Sequence, residues 1–278
     1  MVDTPETRSS LAGYYELVST LDADIGTLLE LLDKSPAAKD TVVVYTSDHG
    51  AGFPFEKWTN YDAGLRVPLI VRYRGVVAPG SRTRSLVSLM DLLPTFLQLA
   101  GGEAIENLDG ESFLQVLKNP QEQHHKYVFG THTTLGIVNA TDPFPIRSVR
   151  SDRYRYIQNL NPQGLFTNNI TEKGQGGWFS WVEKARSDEF ARQRVAAYQR
   201  RPAEEFYDLG SDPFELNNLA ADPDVAGALL EHKAVLQDWR ESQQDQGLNH
   251  PGSGSVFAEM AWHATKSNVE QFVRNYLD

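Results

Sequence analysis

The stretch "TVVVYTSDHG", Thr41 to Gly50, constrains the fold more than any other part of the chain. Val42–Tyr45 is an unbroken apolar run with no polar face, and it ends in an Asp-His-Gly turn. A short run of that kind predicts a strand covered on both faces, as in an α/β layer. Upstream, Leu11, Tyr14, Tyr15, Leu17, Val18, Leu21, Ile25, Leu28, Leu29 and Leu32 follow the i, i+3, i+4, i+7 spacing of a long amphipathic helix opening near Ser10. "KSPAAKD" breaks that helix. Downstream, "VPLIVRYRG" predicts a second strand, "SLVSLMDLLPTFLQLAG" a helix with a glycine stop, and "KYVFGTHT" a third strand. The expected architecture is α/β, with Val42–Tyr45 and Pro68–Val71 as neighbours in a mainly parallel sheet.

The pattern then changes. "PIRSVRSDRYRYIQNL" alternates bulky and polar residues with period two, which predicts an antiparallel hairpin with one solvated face in a smaller α+β subdomain. The expected division is 1–125 for the α/β part, 126–242 for the α+β subdomain, and 243–278 for a flexible linker, "QQDQGLNHPGSGS", with a final amphipathic helix over Val256–Leu277.

Composition narrows the chemistry. A chain of 278 residues, 40% of them hydrophobic, can bury one large or two modest cores. Its net charge of -11 gives no general attraction for nucleic acid or anionic membrane, so any anionic ligand must be met by local cations. With no cysteine, disulfides, thiolate metal sites and Cys nucleophiles are excluded. The N-terminus "MVDTPETRSS" has no apolar signal-peptide core, and no segment is apolar for the length a membrane span needs.

In open α/β sheets ligands sit beyond the carboxyl ends of strands, where Asp48 and His49 stand. Carboxylate and imidazole are a pair of metal ligands, and Gly50 lets the backbone turn beside an ion. The alternative is a turn cap beside a solvated histidine. Lys57, between Phe55 and Trp58 with Glu56 intervening, offers a compact cation for a tetrahedral anion; otherwise it is a surface residue. Arg66 reads as a loop brace. Arg147, Arg150, Arg153 and Arg155 form a basic strip that either faces an acidic glycan or belongs to an ordinary charged hairpin face. Trp178 and Trp181 stack on sugars or fill a core. His124 and His125 have no identifiable partner in the sequence, and Asn139 and Asn169 open N-x-Thr sequons.

"YYELVSTLDADIGTLLELLD", "DTVVVYTSDHG", "YDAGLRVPLIVRYRG", "SLMDLLPTFLQLAG" and "RPAEEFYDLGSDPFELNNLA" resemble, in order and spacing, the later half of type I sulfatases of the alkaline phosphatase superfamily. "GTHTTLGIVNATDPFPIRSVRSDRYRYIQNLNP" and the segment around "GWFSWVEKARSDEF" look most like the heparan N-sulfatase (sulfamidase) branch. The resemblance implies that Asp48 and His49 complete a divalent metal site, calcium or else magnesium, and that Lys57 contacts the sulfate. It implies more weakly that His132 approaches the substrate; Arg147, from the basic strip, is the further candidate substrate contact. It also implies a sulfated sugar substrate; the family is usually extracytoplasmic, but with no signal-peptide core here the compartment of this chain stays open.

In that family the nucleophile is a formylglycine, made from the Cys or Ser of a Cys/Ser-x-Pro-x-Arg motif in the early half. No such motif occurs here. The chain resembles a sulfatase without its first half, to be supplied in cis or in trans, and is expected to be inactive alone. Two alternatives stand beside it: a phosphoester or phosphonate hydrolase of the same superfamily, and a non-catalytic module that binds glycan or pairs with another subunit.

Overall fold

The computed structural model describes residues 1–132 and 143–247. The expected helix over Val256–Leu277 and the sequon at Asn139 lie outside the described residues. Helix α1 spans Pro5–Asp33, starting before Ser10 because Thr4 caps it, its side chain accepting from Thr7 N, with Pro5 in the first turn. The start of α1 is also its anchor. Thr7 Oγ1 accepts from Trp181 Nε1 at 2.7 Å, and Gly177, at φ 84°, packs so closely on Thr7 that a Cβ there would stand 2.8 Å from its hydroxyl. Beyond that anchor, Tyr15, Leu17, Leu28 and Leu31 are exposed.

Strand β1, Val43–Thr46, pairs with β2, Leu69–Arg72, and these two are neighbours as expected. The pairing is antiparallel, which corrects the mainly parallel sheet. A parallel return needs a crossover of a dozen or more residues, usually helical. Between β1 and β2 there is only the short helix α2, Asp62–Leu65, in a loop that doubles back on itself. Gly50 N donates to Gly64 O at 2.9 Å, an approach that a Cβ at Gly50 would block, standing 2.0 Å from Ala63 O. The chain therefore turns back at the end where β1 leaves, so that Leu69 pairs with Thr46 and Arg72 with Val43. Nor is β1 covered on both faces: all four of its residues are half-buried, and Ile70 on β2 is 62% exposed.

Helix α3, Leu92–Leu99, and the short α4, Leu114–Lys118, follow. Strand β3, Val128–His132, then joins a second sheet rather than the first, in the order β3-β4-β5-β6, with β4 Ile146–Arg150, β5 Tyr154–Asn159 and β6 Glu204–Asp208, all antiparallel. The antiparallel hairpin over Arg147–Ile157 is present, but its solvated face is not. One face carries Ile146, Ile157 and Tyr207 against α5 (Asn169–Lys173), α6 (Trp178–Lys184) and α7 (Glu189–Gln199). The other carries Val149, Tyr156 and Phe206 against α8, Ala226–Ser242. Both layers are apolar, so the polar alternation in β4 and β5 turns inward. Trp178 and Trp181 are fully buried in the first core and stack on no sugar.

Candidate functional site

Asp48 and His49 sit two residues past β1, on the turn whose backbone Gly50 fixes. His49 Nδ1 lies 2.8 Å from Gly50 O, so Nδ1 carries the proton and Nε2 keeps a free lone pair. That Nε2 stands 3.3 Å from Asp48 Oδ2. Asp48 Oδ1 accepts from His49 N at 3.0 Å, which turns Oδ2 toward the imidazole. Two acceptors 3.3 Å apart, one anionic, are the arrangement of ligands sharing a cation. The residues fit a divalent ion as part of its coordination sphere, and among the described residues no third His, Cys, Asp or Glu joins them.

Lys57 is held next to this turn by its backbone, Lys57 N donating to Ala51 O at 3.0 Å. The loop carrying it is strained: Phe55 and Trp58 have φ of 69° and 71°, in the left-handed region that bulky side chains avoid. Contacts hold the strain in place. Trp58 Nε1 donates to Asn169 Oδ1 at 2.5 Å, and the Phe55 ring packs on Tyr61, Tyr198 and the Arg194 guanidinium. Lys57 Nζ rests 5.0 Å from the centre of the Trp58 ring and has no carboxylate partner among the described residues.

The far side of Trp58 meets His132, their rings 6.3 Å apart edge to face. Burial, with Arg201 and Arg147 nearby, holds the His132 imidazole down to about 4, so it is neutral at physiological pH. Its Nε2 is buried without a partner among the described residues. Lys57 and His132 thus both contact the Trp58 indole. Arg147 is different: its Nε and Nη2 donate to Asp245, at 2.9 and 2.6 Å, and its Nη1 to the carbonyls of His132 and Ile146. A substrate contact by Arg147 would have to displace one of these.

The other arginines of the strip are also internally paired. Arg155 donates to Asp62 at 2.7 Å and Asn60 O at 2.8 Å and pairs with Glu215 at 3.0 Å; Arg150 pairs with Asp62 at 3.1 Å, and Arg153 with Asp208 at 2.7 Å. Arg66 braces Asp62 loosely at 3.5 Å. In the sequon at Asn169, Thr171 is fully buried and bonded to Asn168, so its hydroxyl is not presented to solvent.

Several residues near the site gave no sequence signal as site residues. Burial pushes the Glu56 carboxyl up to about 7. Asn60, 1% exposed, donates to Gly130 O and ties the Lys57 loop to β3. Arg201, 1% exposed, lies over the rings of Tyr61 and Phe166 at 4.7 and 4.4 Å. The one available sequence cue was polar "TNYD" set between apolar neighbours. A cluster of Asp91, His124 and His125 could also hold a metal ion, and it uses neither Asp48 nor His49.

Residues 2–102 match the Sulfatase family model. The chain is 34% identical over 234 residues to an ulvan-active sulfatase of Formosa agariphila, covering 84% of this chain and 44% of that protein. It is 29% identical to the human N-sulphoglucosamine sulphohydrolase, over 90% of this chain and 51% of that one. A solved 2-O glycosaminoglycan sulfatase superposes with a TM-score of 0.61 at 24% identity, over 86% of this chain and 44% of the other, a likeness of fold. The chain spans about half the length of the curated relatives it matches. It belongs to the sulfatase/alkaline-phosphatase superfamily and carries a sulfatase-family domain that is partial relative to those relatives.

Proposed function

We propose that this chain is the metal-completing and C-terminal part of a sulfatase that hydrolyses sulfate esters or N-sulfates on sugars. The observation that carries the reading is the Asp48–His49 pair, with an anionic oxygen and a free imidazole lone pair 3.3 Å apart on a turn that Gly50 fixes. Beside it Lys57 stands without a carboxylate on a strained loop. The sugar is inferred from relatives named for ulvan and for N-sulphoglucosamine.

In this reading Asp48 and His49 hold a hard divalent ion, calcium or magnesium, which when bound places positive charge beside the sulfuryl oxygens. Lys57 donates to the oxygen that gains charge as the S–O or S–N bond breaks. His132, neutral and with a buried, unpartnered Nε2, stands at the edge of the site and accepts a hydrogen bond from a substrate that reaches it. Arg147 holds the His132 carbonyl and so sets the end of β3. The nucleophile comes from the complementary part, since this chain has no Cys/Ser-x-Pro-x-Arg motif.

The test uses a fusion of this chain to the part of the Formosa agariphila relative that it does not match. Asp48→Ala should remove bound metal and activity together. Lys57→Ala should keep the metal and lower single-turnover sulfate release by about 10²-fold or more, the scale for losing one preorganised donor. Full metal occupancy and an unchanged rate in Asp48→Ala would reduce the Asp-His turn to a turn.

A further inference from the structure

Asp91, His124 and His125 take no part in the site above. Asp91 is fully buried at the start of α3, and its carboxylate is fixed by two backbone amides: Oδ2 accepts from Ser88 N at 2.7 Å, Oδ1 from Glu111 N at 2.9 Å. Those bonds fix the orientation of the carboxylate. The two histidines are set by backbone pairing to the segment before α3: His124 N donates to Ser85 Oγ at 2.8 Å and His125 N to Leu86 O at 3.3 Å. Both Nε2 atoms then converge on the one carboxylate. His125 Nε2 lies 3.1 and 3.0 Å from its two oxygens, and His124 Nε2 lies 3.3 Å from Oδ2.

A hydrogen-bonding account covers only one of the rings. His125 can donate Nε2–H to Asp91. His124, its side chain 8% exposed, reaches the same oxygen without hydrogen-bond geometry, so its Nε2 is buried and unpartnered among the described residues.

We propose that Asp91, His124 and His125 bind one transition-metal dication of the zinc class, as a site separate from the Asp48–His49 pair. The three ligand atoms all lie within 4.8 Å of one another. Tetrahedral zinc with bonds of ~2.0–2.1 Å has ligand-to-ligand edges of ~3.3 Å, the range of the His-to-Asp separations here. Two imidazoles and one carboxylate suit zinc over calcium or magnesium. The amides of Ser88 and Glu111 orient the carboxylate as outer partners. His125, 20% exposed, borders the remaining coordination position. The ion fastens the segment leading into β3 to the start of α3, and both Nε2 lone pairs are then satisfied.

The experiment is a calorimetric titration of the chelator-treated 278-residue chain with zinc chloride, in the Asp48→Ala, His49→Ala background so that the other pair contributes nothing. One zinc per chain is expected. Affinity should fall ~100-fold or more in His124→Gln and in His125→Gln, at least the loss seen for outer partners of metal sites. These variants leave the capping carboxylate of Asp91 in place, and circular dichroism checks their fold. Cobalt substitution of the background protein gives a reading that needs no histidine variant: an intense tetrahedral visible spectrum, displaced by zinc. No zinc uptake, one equivalent retained by both histidine variants, or a weak octahedral cobalt spectrum each overturns the proposal.

Discussion

The arginines of β4 and β5 show how charge is used here. Arg155 is 3% exposed at its side chain and joins Asp62, Glu215 and the Asn60 carbonyl, while Arg153 pairs with Asp208 from a position 63% exposed. Removing one partner of a buried network leaves the others uncompensated. Arg155→Met should therefore cost about 3–5 kcal/mol in urea denaturation, and Arg153→Met about 1 kcal/mol or less; equal losses would mean that the network is not buried in solution. His132 gives a second residue-scale test. Its folded value of about 4 lies below the ordinary 6.5, so between those values the unfolded chain binds a proton that the native one refuses. The contribution of His132 is present above about 6.5 and is lost as pH falls toward 4, by up to about 3 kcal/mol. Glu56 and Glu215, both raised to about 7 by burial, act in the opposite sense, their contribution being lost as pH rises through about 7. The measurement is thus the difference between wild type and His132→Gln across pH 4.5–6.5. Parallel stability curves would show that His132 is hydrated.

Among the elements, α1 has the largest unfilled apolar face, with Leu17 71% and Leu28 65% exposed. If that stripe packs against the complementary part of a sulfatase domain, its substitution has no cost in this chain and a real cost in the fusion. Leu17→Glu with Leu28→Lys should shift the stability of the chain alone by about 0.5 kcal/mol or less per site. In the fusion the same change should cost about 1.5–3 kcal/mol per buried leucine. Equal effects in the two settings, read by thermal melts, would remove the stripe from any interface. The helix itself was legible because its spacing repeats over many turns. Strand β1 was legible as a strand, and so was its pairing with β2, but their relative direction was not. Direction depends on the loop between them, and Gly50 and Gly64 close that loop through a contact no periodicity encodes. The buried hairpin was misread for a related reason: charged residues at alternate positions look solvent-facing until Asp62, Glu215, Asp208 and Asp245 are seen to meet them. Asp48, His49 and Lys57 could be proposed from the sequence because a carboxylate, an imidazole and a lysine stand close together beside a strand end. The Asp91 cluster was not, since Asp91 lies more than thirty positions from His124 and His125 and the two segments meet through the Leu86–His125 bridge and the His124–Ser85 bond.

At the scale of the whole molecule, two features belong together. The second sheet is covered on both faces, with aromatic cores above and below, and behaves as a finished unit. The first sheet has two strands, a 62% exposed Ile70, and the Asp48–His49 pair at its end. A sheet with open edges and a ligand pair short of a full coordination sphere fit the proposal that another part of a sulfatase domain packs here. In the proposed function Asp48, His49 and Lys57 serve a sulfate site whose nucleophile is contributed by another part. The most direct measurement is sulfate release from an aryl sulfate and from N-sulfoglucosamine by the pure 278-residue chain, with and without calcium, beside the fusion. The account predicts background release by the chain in both conditions, and turnover by the fusion that Asp48→Ala abolishes. Turnover by the chain alone, lost on substitution of one of its own residues, would contradict it.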